Sequence, residues 1–470
     1  MTNHLDALRD IVGAANIATG SDCDKWNHDW MGDYHFSPLA VVRPANTDEV
    51  SRVMQLAHEV GLPVVPVSGN TGLAGGTYAD GAVMLSLDRM NTIREIRAES
   101  RIAIVEAGVI LYALSTAAQD HGLLFPMTFG ARGSAMIGGI LSTNAGGSNV
   151  LRYGNTRDLC MGVEVVLADG RVMDLMSELH KDNSGLNLRN LVIGAEGTLG
   201  IITAAVMKLA PQPLAYATAM LAVPHLSDAV GLLNQLQKIT GGAVSAFEYM
   251  PKSYISRYLA TIAGAKPPFE GSHDVNILVE VGATAPRDAT PQDDGSVPIV
   301  SLLETELARM LEIGTLRDAV IAQNDAQRAE MWARREAAAE VTSAQQPMIN
   351  NDVCVGIDKV ETFLTTAIAR IQAIDPEATD TCVSHLGDGN VHYIIFPSSA
   401  DPELRDKLVE TVEDVVQSLG GSFSAEHGIG LSKLPSMRRR KDPVALDVMR
   451  AIKAALDPKG ILNPGKVIPR

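Results

Sequence analysis

Two histidines seven residues apart, His385 and His392, flank the turn Gly387-Asp388-Gly389-Asn390, and a Glu426-His427 pair follows within Ser424-Ala425-Glu426-His427-Gly428. Two imidazoles and one carboxylate can hold a divalent metal and leave coordination positions open for a substrate. The same set also suits a non-haem iron oxygenase. A lone histidine is more often a hydrogen-bonded core or surface residue than a ligand, but the flanking glycines and the glycine-rich segments upstream favour a site. Side chains alternate along a strand, so Glu426 and His427 are expected to have different jobs rather than to grip one ion. Asp388 reads as a turn former, because Asp-Gly is a turn signal; Asn390 suits either the turn or the site. Arg335 lies in Met331-Trp332-Ala333-Arg334-Arg335-Glu336, a predicted helix in which an i,i+4 ion pair is the ordinary role of an arginine, Arg334 included.

Glycine-rich segments occupy the first half. Pro66-Val67-Ser68-Gly69-Asn70-Thr71-Gly72-Leu73-Ala74-Gly75-Gly76-Thr77 follows a predicted strand, and its glycines permit a backbone that turns successive N–H groups onto phosphate oxygens. It is neither the G-x-G-x-x-G fingerprint nor a P-loop. Further instances are Gly133 to Gly147, followed by Arg152-Tyr153-Gly154-Asn155, and Ile193 to Ile202. Together they suit a long cofactor lying extended across one domain. The candidate cofactor-binding residues are Pro66, Ser68, Gly69, Asn70, Thr71, Gly72, Leu73 and Gly75 in the first segment. Gly133, Ser134, Gly138, Gly139, Ser142, Thr143, Asn144, Gly146, Gly147, Tyr153 and Gly154 belong to the second, and Glu196, Gly197, Gly200, Ile201 and Ile202 to the third.

The elements that must position these residues are of mixed type. At 470 residues the chain suggests two or three domains, on a prior of roughly 150 residues each. With 46% apolar and 20% charged residues it has a globular composition, and no segment is long and apolar enough for a membrane span. The N-terminus reads as an amphipathic helix without a secretory signal, so a cytoplasmic location is expected. A formal charge of −16 argues against nucleic acid as a partner, and Arg438-Arg439-Arg440-Lys441 reads as a solvated run. The scattered Cys23, Cys160, Cys354 and Cys382 lack metal or disulfide spacing and read as reduced.

From Leu39 short β-branched runs alternate with helical patterns, one of them Thr47 to Glu59 with Thr47 as N-cap. Pro211 and Pro213 break this pattern, and a boundary near residue 212 follows. Beyond it, predicted strands at Ala217–Val223, around Ala243 to Tyr249 and at Val275–Val281 mix with helices, including one from Asn324 to Val341. That order suits a ferredoxin-like or larger antiparallel sheet backed by helices. The expected domains are 1–212 for the cofactor, 213–424 as a substrate or cap domain, and 425–470 as a C-terminal segment completing both sites.

The motifs S-G-N-T-G-L-A-G-G, I-G-G-I-L-S-T-N-A-G-G, R-Y-G-N-T-R and I-G-A-E-G-T-L-G-I-I-T resemble the FAD-binding domain of the vanillyl-alcohol oxidase-like flavoproteins. H-L-G-D-G-N-V-H, A-E-H-G-I-G and the terminal L-N-P-G-K resemble their FAD-linked D-2-hydroxyacid dehydrogenase branch, which includes D-lactate and D-2-hydroxyglutarate dehydrogenases. The resemblance covers essentially the whole chain. It implies an α+β fold with a two-part FAD-binding domain of vanillyl-alcohol oxidase type plus a substrate domain with an antiparallel sheet backed by helices. It adds Asn463 to the FAD residues, and implies His385, His392 and Glu426 as ligands of zinc or manganese, His427 as the base, and Arg335 as the fork for the substrate carboxylate. Residues 64–77 hold no His or Cys for a covalent tether, so noncovalent FAD is expected. The branch implies a small 2-hydroxy acid as substrate and a separate electron acceptor, a quinone, cytochrome or electron-transfer flavoprotein; a homodimer is compatible with it.

The chain departs from the D-2-hydroxyglutarate pattern at Ala339, Asn350 and Ile394, where that pattern has Ser or Thr, Lys and Asn. All three are less able to hold a second carboxylate. Asp352-Val353-Cys354-Val355 and His392-Tyr393-Ile394-Ile395 resemble the D-lactate enzymes instead, which favours a monocarboxylic D-2-hydroxy acid, with Asn350, Tyr393 and Ile394 lining its pocket. Against this stands replacement of the lost contacts by Lys359, Asn351 or Tyr393. The competing readings are D-2-hydroxyglutarate oxidation, a metal oxygenase, which leaves the glycine segments without work, and a flavin electron-transfer protein, which leaves His427 idle.

Overall fold

The computed structural model describes residues 2–469 and divides into two compact units. One consists of Met1–Gly146, Gly154–Pro211 and Glu426–Arg470, the other of Gly147–Tyr153 and Gln212–Ala425. The fold is mixed α+β.

In the first unit, β1 (Ile17–Ala18), β2 (Ala40–Val42), β3 (Val64–Val67) and β4 (Val83–Ser86) form a sheet ordered β1-β2-β4-β3, with β2, β4 and β3 parallel. Parallel strands are covered on both faces, and these are apolar on both. Val50, Val53, Met54 and Ala57 of the helix Thr47–Val60 pack on one face, and Trp26 and Phe36 on the other. Its N-cap is Asn46 rather than Thr47: the Asn46 side chain accepts the Glu49 N–H at 2.9 Å, satisfying a donor that the helix itself leaves unpaired. A second, antiparallel sheet joins β5 (Ile93–Arg97), β6 (Ile102–Glu106), β8 (Cys160–Val166), β9 (Val172–Leu175) and β10 (Ile201–Lys208) in the order β5-β6-β10-β8-β9. A short ribbon pairs β7 (Leu123–Leu124) with β11 (Ala210–Pro211). The C-terminal tail runs beside β3: Val64 N–H donates to Ile461 O, Asn463 N–H donates to Val64 O, and Ile461 and Leu462 are buried in the core.

The second unit is built on one sheet of seven antiparallel strands, ordered β15-β12-β14-β13-β17-β18-β16. They are β12 (Ala215–Val223), β13 (Val244–Pro251), β14 (Val275–Ala283), β15 (Asp318–Ile321), β16 (Ile349–Cys354), β17 (Thr379–His385) and β18 (Asn390–Phe396). Alternation sorts their side chains. Leu221, Val279, Phe247, Val353 and Tyr393 face a core closed by the helices Ala229–Ile239, Pro298–Glu312, Val360–Ile374 and Pro402–Ser418. On the other face Met220, Met250, Leu278 and Val383 pack with Tyr254 and Tyr258 of the helix Lys252–Thr261 and with Met331 and Val341. The helix expected over 324–341 is interrupted at Ala337 (ψ 2°) into Asp325–Glu336 and Ala338–Ser343. Tyr254 Oη donates to Arg334 O at 2.6 Å, satisfying a carbonyl near the end of the first piece.

Candidate active site

The sheet face turned away from the main core of the second unit carries a row of polar side chains. Strand register sets Glu248 on β13 opposite His385 on β17, and His392 on β18 opposite Asp352 on β16. Glu248 is 1% exposed. Its Oε2 accepts from Arg335 Nε at 2.7 Å, and His385 Nδ1 lies 2.9 Å from the same carboxylate. Arg335 Nη2 lies 3.3 Å from His385 Nε2. Burial pushes the Glu248 carboxyl upward, but the charges and hydrogen bonds of His385 and Arg335 more than offset it and hold it below the ordinary range. The rings of His385 and His392 stand nearly perpendicular, centroids 5.4 Å apart, and His392 Nδ1 is 3.7 Å from Asp352 Oδ1. This donor chemistry, imidazoles backed by carboxylates, fits a divalent metal.

The turn between β17 and β18 fixes the spacing of the histidines. The N–H groups of Asp388 and Gly389 both donate to His385 O at 3.1 Å, and Asn390 N–H donates to Asp388 Oδ1 at 3.1 Å, so Asp388 shapes the turn. Gly389 has φ +82°, and a Cβ there would stand 2.0 Å from Val355 O; the position admits only glycine. Asn390 Nδ2 donates to Asp352 Oδ1 at 2.9 Å and to Val353 O at 3.0 Å, while its Oδ1 is buried without a partner among the described residues. Asp352 Oδ2 also accepts the Ala425 N–H at 3.2 Å.

Glu248 and Asp352 were not among the candidates from sequence. Their signal was a carboxylate set in an apolar strand, Ala246-Phe247-Glu248-Tyr249-Met250 for the first, a placement that is costly unless the charge is paired. Arg334 makes the expected i,i+4 pair, Nη2 to Glu330 Oε1 at 2.9 Å.

Among the expected pocket residues, Asn350 and Ile394 are register partners on the His392 face, Asn350 exposed and Ile394 3% exposed. Tyr393 requires a correction. One residue from His392, it points to the opposite face, packs edge-on against Phe363 at 5.3 Å and donates its hydroxyl to Asp380 at 2.8 Å. It is a core residue, and burial raises its phenol pKa. The Asn351 side chain donates to Tyr393 O and that of Lys359 to Leu419 O, so each is already engaged.

In the first unit, Glu426 and His427 lie in a bend, not a strand, and their side chains are not on opposite faces: His427 Nε2 is 3.8 Å from Glu426 Oε1. The segment is anchored by Glu196, whose carboxylate accepts the Ile429 and Gly430 N–H groups at 2.7 and 2.8 Å. Burial raises the Glu196 pKa although both N–H groups oppose it. The Glu196 carboxylate thus holds the C-terminal segment in place.

The three glycine segments meet. A Cβ on Gly69 would stand 2.1 Å from Ser134 O, one on Gly138 2.8 Å from Ala107 Cβ, one on Gly197 2.4 Å from Pro66 Cγ, and one on Gly200 2.5 Å from Val165 Cγ1. These glycines serve close packing of the segments; Gly72 and Gly133 have nothing within 4 Å. Ser142 and Thr143 return their hydroxyls to Gly138 O and Gly139 O, while Ile201 and Ile202 are buried in β10. Asn463 Nδ2 donates to Gly76 O at 3.1 Å and Glu196 O at 2.7 Å, and its buried Oδ1 has no partner among the described residues. A cradle of apposed glycine loops with an unpaired buried acceptor fits a large polar cofactor such as FAD. Gly147 and Tyr153 fall in the second unit, where the Tyr153 hydroxyl is buried without a partner among the described residues.

Residues 38–176 match the family described as FAD binding domain, and residues 212–467 the one described as FAD linked oxidases, C-terminal domain. The D-2-hydroxyglutarate dehydrogenase of Xanthomonas citri pv. viticola is 34% identical over 468 residues, covering 98% of this chain and 96% of its own length. The mitochondrial D-2-hydroxyglutarate dehydrogenase of Bos taurus is 33% identical over 467 residues, covering 99% and 83%. The structure of p-cresol methylhydroxylase with substrate bound superposes with a TM-score of 0.74 at 17% identity, over 99% of this chain and 96% of that one, which shows a shared fold. Among the described residues no helix is long and apolar enough to cross a membrane.

Proposed function

The chain belongs to the FAD-linked oxidases, and from that premise we propose that it oxidises a D-2-hydroxy acid to the 2-oxo acid, using noncovalent FAD and a divalent zinc or manganese ion, and hands the electrons to a separate acceptor. The observation that carries this reading is the Glu248–Arg335–His385 array beside His392: a carboxylate-binding cation held next to two imidazoles on one sheet face. His385, His392 and Glu426 are the proposed ligands, and Asn390 and Ala425, the residue before Glu426, steady Asp352 beside His392.

FAD supplies a hydride acceptor when bound, and the divalent ion supplies charge that lowers the pKa of the substrate hydroxyl. The chain's own residues do the rest. Glu248 fixes one edge of the Arg335 guanidinium through Nε, and the terminal nitrogens are given to the substrate carboxylate. His427 takes the hydroxyl proton on a neutral ring nitrogen. Asn463 Oδ1 is the acceptor proposed to face the cofactor.

Ile394 supports a monocarboxylate, D-lactate or a relative with a small apolar side chain, because hydrocarbon beside His392 leaves a second carboxylate unpaired. The names of the Xanthomonas citri and Bos taurus relatives support D-2-hydroxyglutarate instead. Anaerobic flavin bleaching across D- and L-lactate, 2-hydroxybutyrate, malate and 2-hydroxyglutarate, with and without added zinc or manganese, separates the two. D-lactate is expected to bleach faster than D-2-hydroxyglutarate; the reverse order would establish the dicarboxylate, and no bleaching by any D-acid would end the dehydrogenase reading. Ile394→Asn is expected to shift the ratio of kcat/KM toward D-2-hydroxyglutarate by at least about tenfold, the size of one hydrogen bond to a charged group.

A further inference from the structure

We propose that Glu248 is the positioning residue of this site: it fixes the tautomer of His385 and, through the same carboxylate, the placement of Arg335. No backbone signal marks it, since it sits in the middle of β13 between Phe247 and Tyr249, which both face the main core. Its own side chain is turned the other way and is 1% exposed. A carboxylate so placed needs partners for its oxygens, and its recorded partners are His385 Nδ1 and Arg335 Nε.

The tautomer follows from the neighbours of the ring. An ionised carboxylate only accepts, so the nitrogen 2.9 Å from Glu248 carries the hydrogen: Nδ1–H donates to Glu248. A neutral imidazole carries one ring hydrogen, so with Nδ1–H given to Glu248 the lone pair is left on Nε2; Arg335 Nη2, 3.3 Å from Nε2 and 3.5 Å from Nδ1, does not choose between them. The carboxylate on β13 thus selects the tautomer, and the helix Asp325–Glu336 brings the Arg335 cation to that same carboxylate. The lone pair on Nε2 is what a metal ion requires, and a carboxylate behind the other ring nitrogen fixes the ring orientation and makes the free nitrogen more basic. Because Arg335 Nε hangs on the same carboxylate, Glu248 also sets where the guanidinium can meet an anion. A purely structural ion pair would require only Arg335 and Glu248, with no imidazole on the carboxylate.

The metal arm of this inference rests on the proposed ligand role of His385; the tautomer arm does not. The test uses the full-length, FAD-loaded protein, and zinc alone competed against a chelating dye. Glu248→Gln is expected to weaken zinc binding by about 10- to 100-fold, the range for losing such a supporting group. It should also raise KM for the hydroxy acid more than it lowers kcat, while FAD stoichiometry stays unchanged. Glu248→Asp, which keeps the charge, should restore part of the zinc affinity. Long-range ¹H–¹⁵N correlation spectra of the histidine side chains, with the His385 signals identified by their loss in His385→Asn, should show the Nδ1–H form in the wild type and an Nε2–H contribution in Glu248→Gln. An Nε2–H form in the wild type overturns the proposal, as does zinc affinity in Glu248→Gln within twofold of wild type. If Glu248→Gln does not fold, the wild-type spectrum still decides. A protein that oxidises no hydroxy acid but keeps both the tautomer and its zinc dependence on Glu248 removes the proposed reaction and leaves this assignment standing.

Discussion

Replacing His427 with alanine is expected to slow anaerobic flavin bleaching by about 10²- to 10⁴-fold, the usual span for removing a general base, with FAD and zinc contents kept. The geometry behind this is local. Glu426 and His427 follow one another in a bend, with ring Nε2 3.8 Å from the carboxylate, and the chain just beyond them is pinned by the two N–H bonds to Glu196. A base must be held at a fixed place, and the segment of His427, whose side chain is about one-fifth exposed, is anchored through Glu196 and the backbone just beyond it. Alanine therefore removes the proton acceptor without removing the anchor. Added imidazole should recover part of the rate. Turnover in the alanine variant within tenfold of wild type would sink the assignment, whereas loss of FAD along with activity would show that the ring is needed for folding instead.

What the sequence made legible, and what it hid, divides along physical lines. Alternation and turn chemistry are written locally, so most of the strand Ala215–Val223 and the Asp388-Gly389 turn could both be read in place. Cross-strand partnerships are not local. β13 lies beside β17, so Glu248 meets His385 across 137 residues of chain, and no spacing rule connects them. Facing errors come from the same limit: Tyr393 is adjacent to His392 in sequence, yet a period of two sends it into the core. Glu426 and His427 show the reverse limit, since they lie in a bend to which a period of two does not apply. At the helix starting after Asn46 the error was a single residue, because Asn46 and Thr47 are both good caps and only the bond to Glu49 N–H chooses between them.

Glycines show the same division, and yield the second large effect. Gly69 and Gly72 lie in one loop and read alike in sequence as phosphate-cradle positions, but their surroundings differ. A Cβ on Gly69 would stand 2.1 Å from Ser134 O and 2.9 Å from its carbonyl carbon, both backbone atoms that cannot rotate away, whereas one on Gly72 meets nothing within 4 Å. Gly69→Ala must therefore push the loop of residues 66–76 off the segment beginning at Gly133. The cost of forcing a methyl into such packing is on the order of 2–3 kcal/mol, or about 30- to 150-fold in FAD affinity if it falls wholly on the cofactor-binding form. The expected protein is pale as purified, regains colour only at high FAD, and melts at a lower temperature than wild type even when stripped of flavin. Gly72→Ala is the control: its flavin-free melting temperature should match wild type, with any loss confined to FAD affinity. Equal melting temperatures for flavin-free Gly69→Ala and wild type would mean that the loops separate freely, and that Gly69 is there for the cofactor rather than for the contact with Ser134.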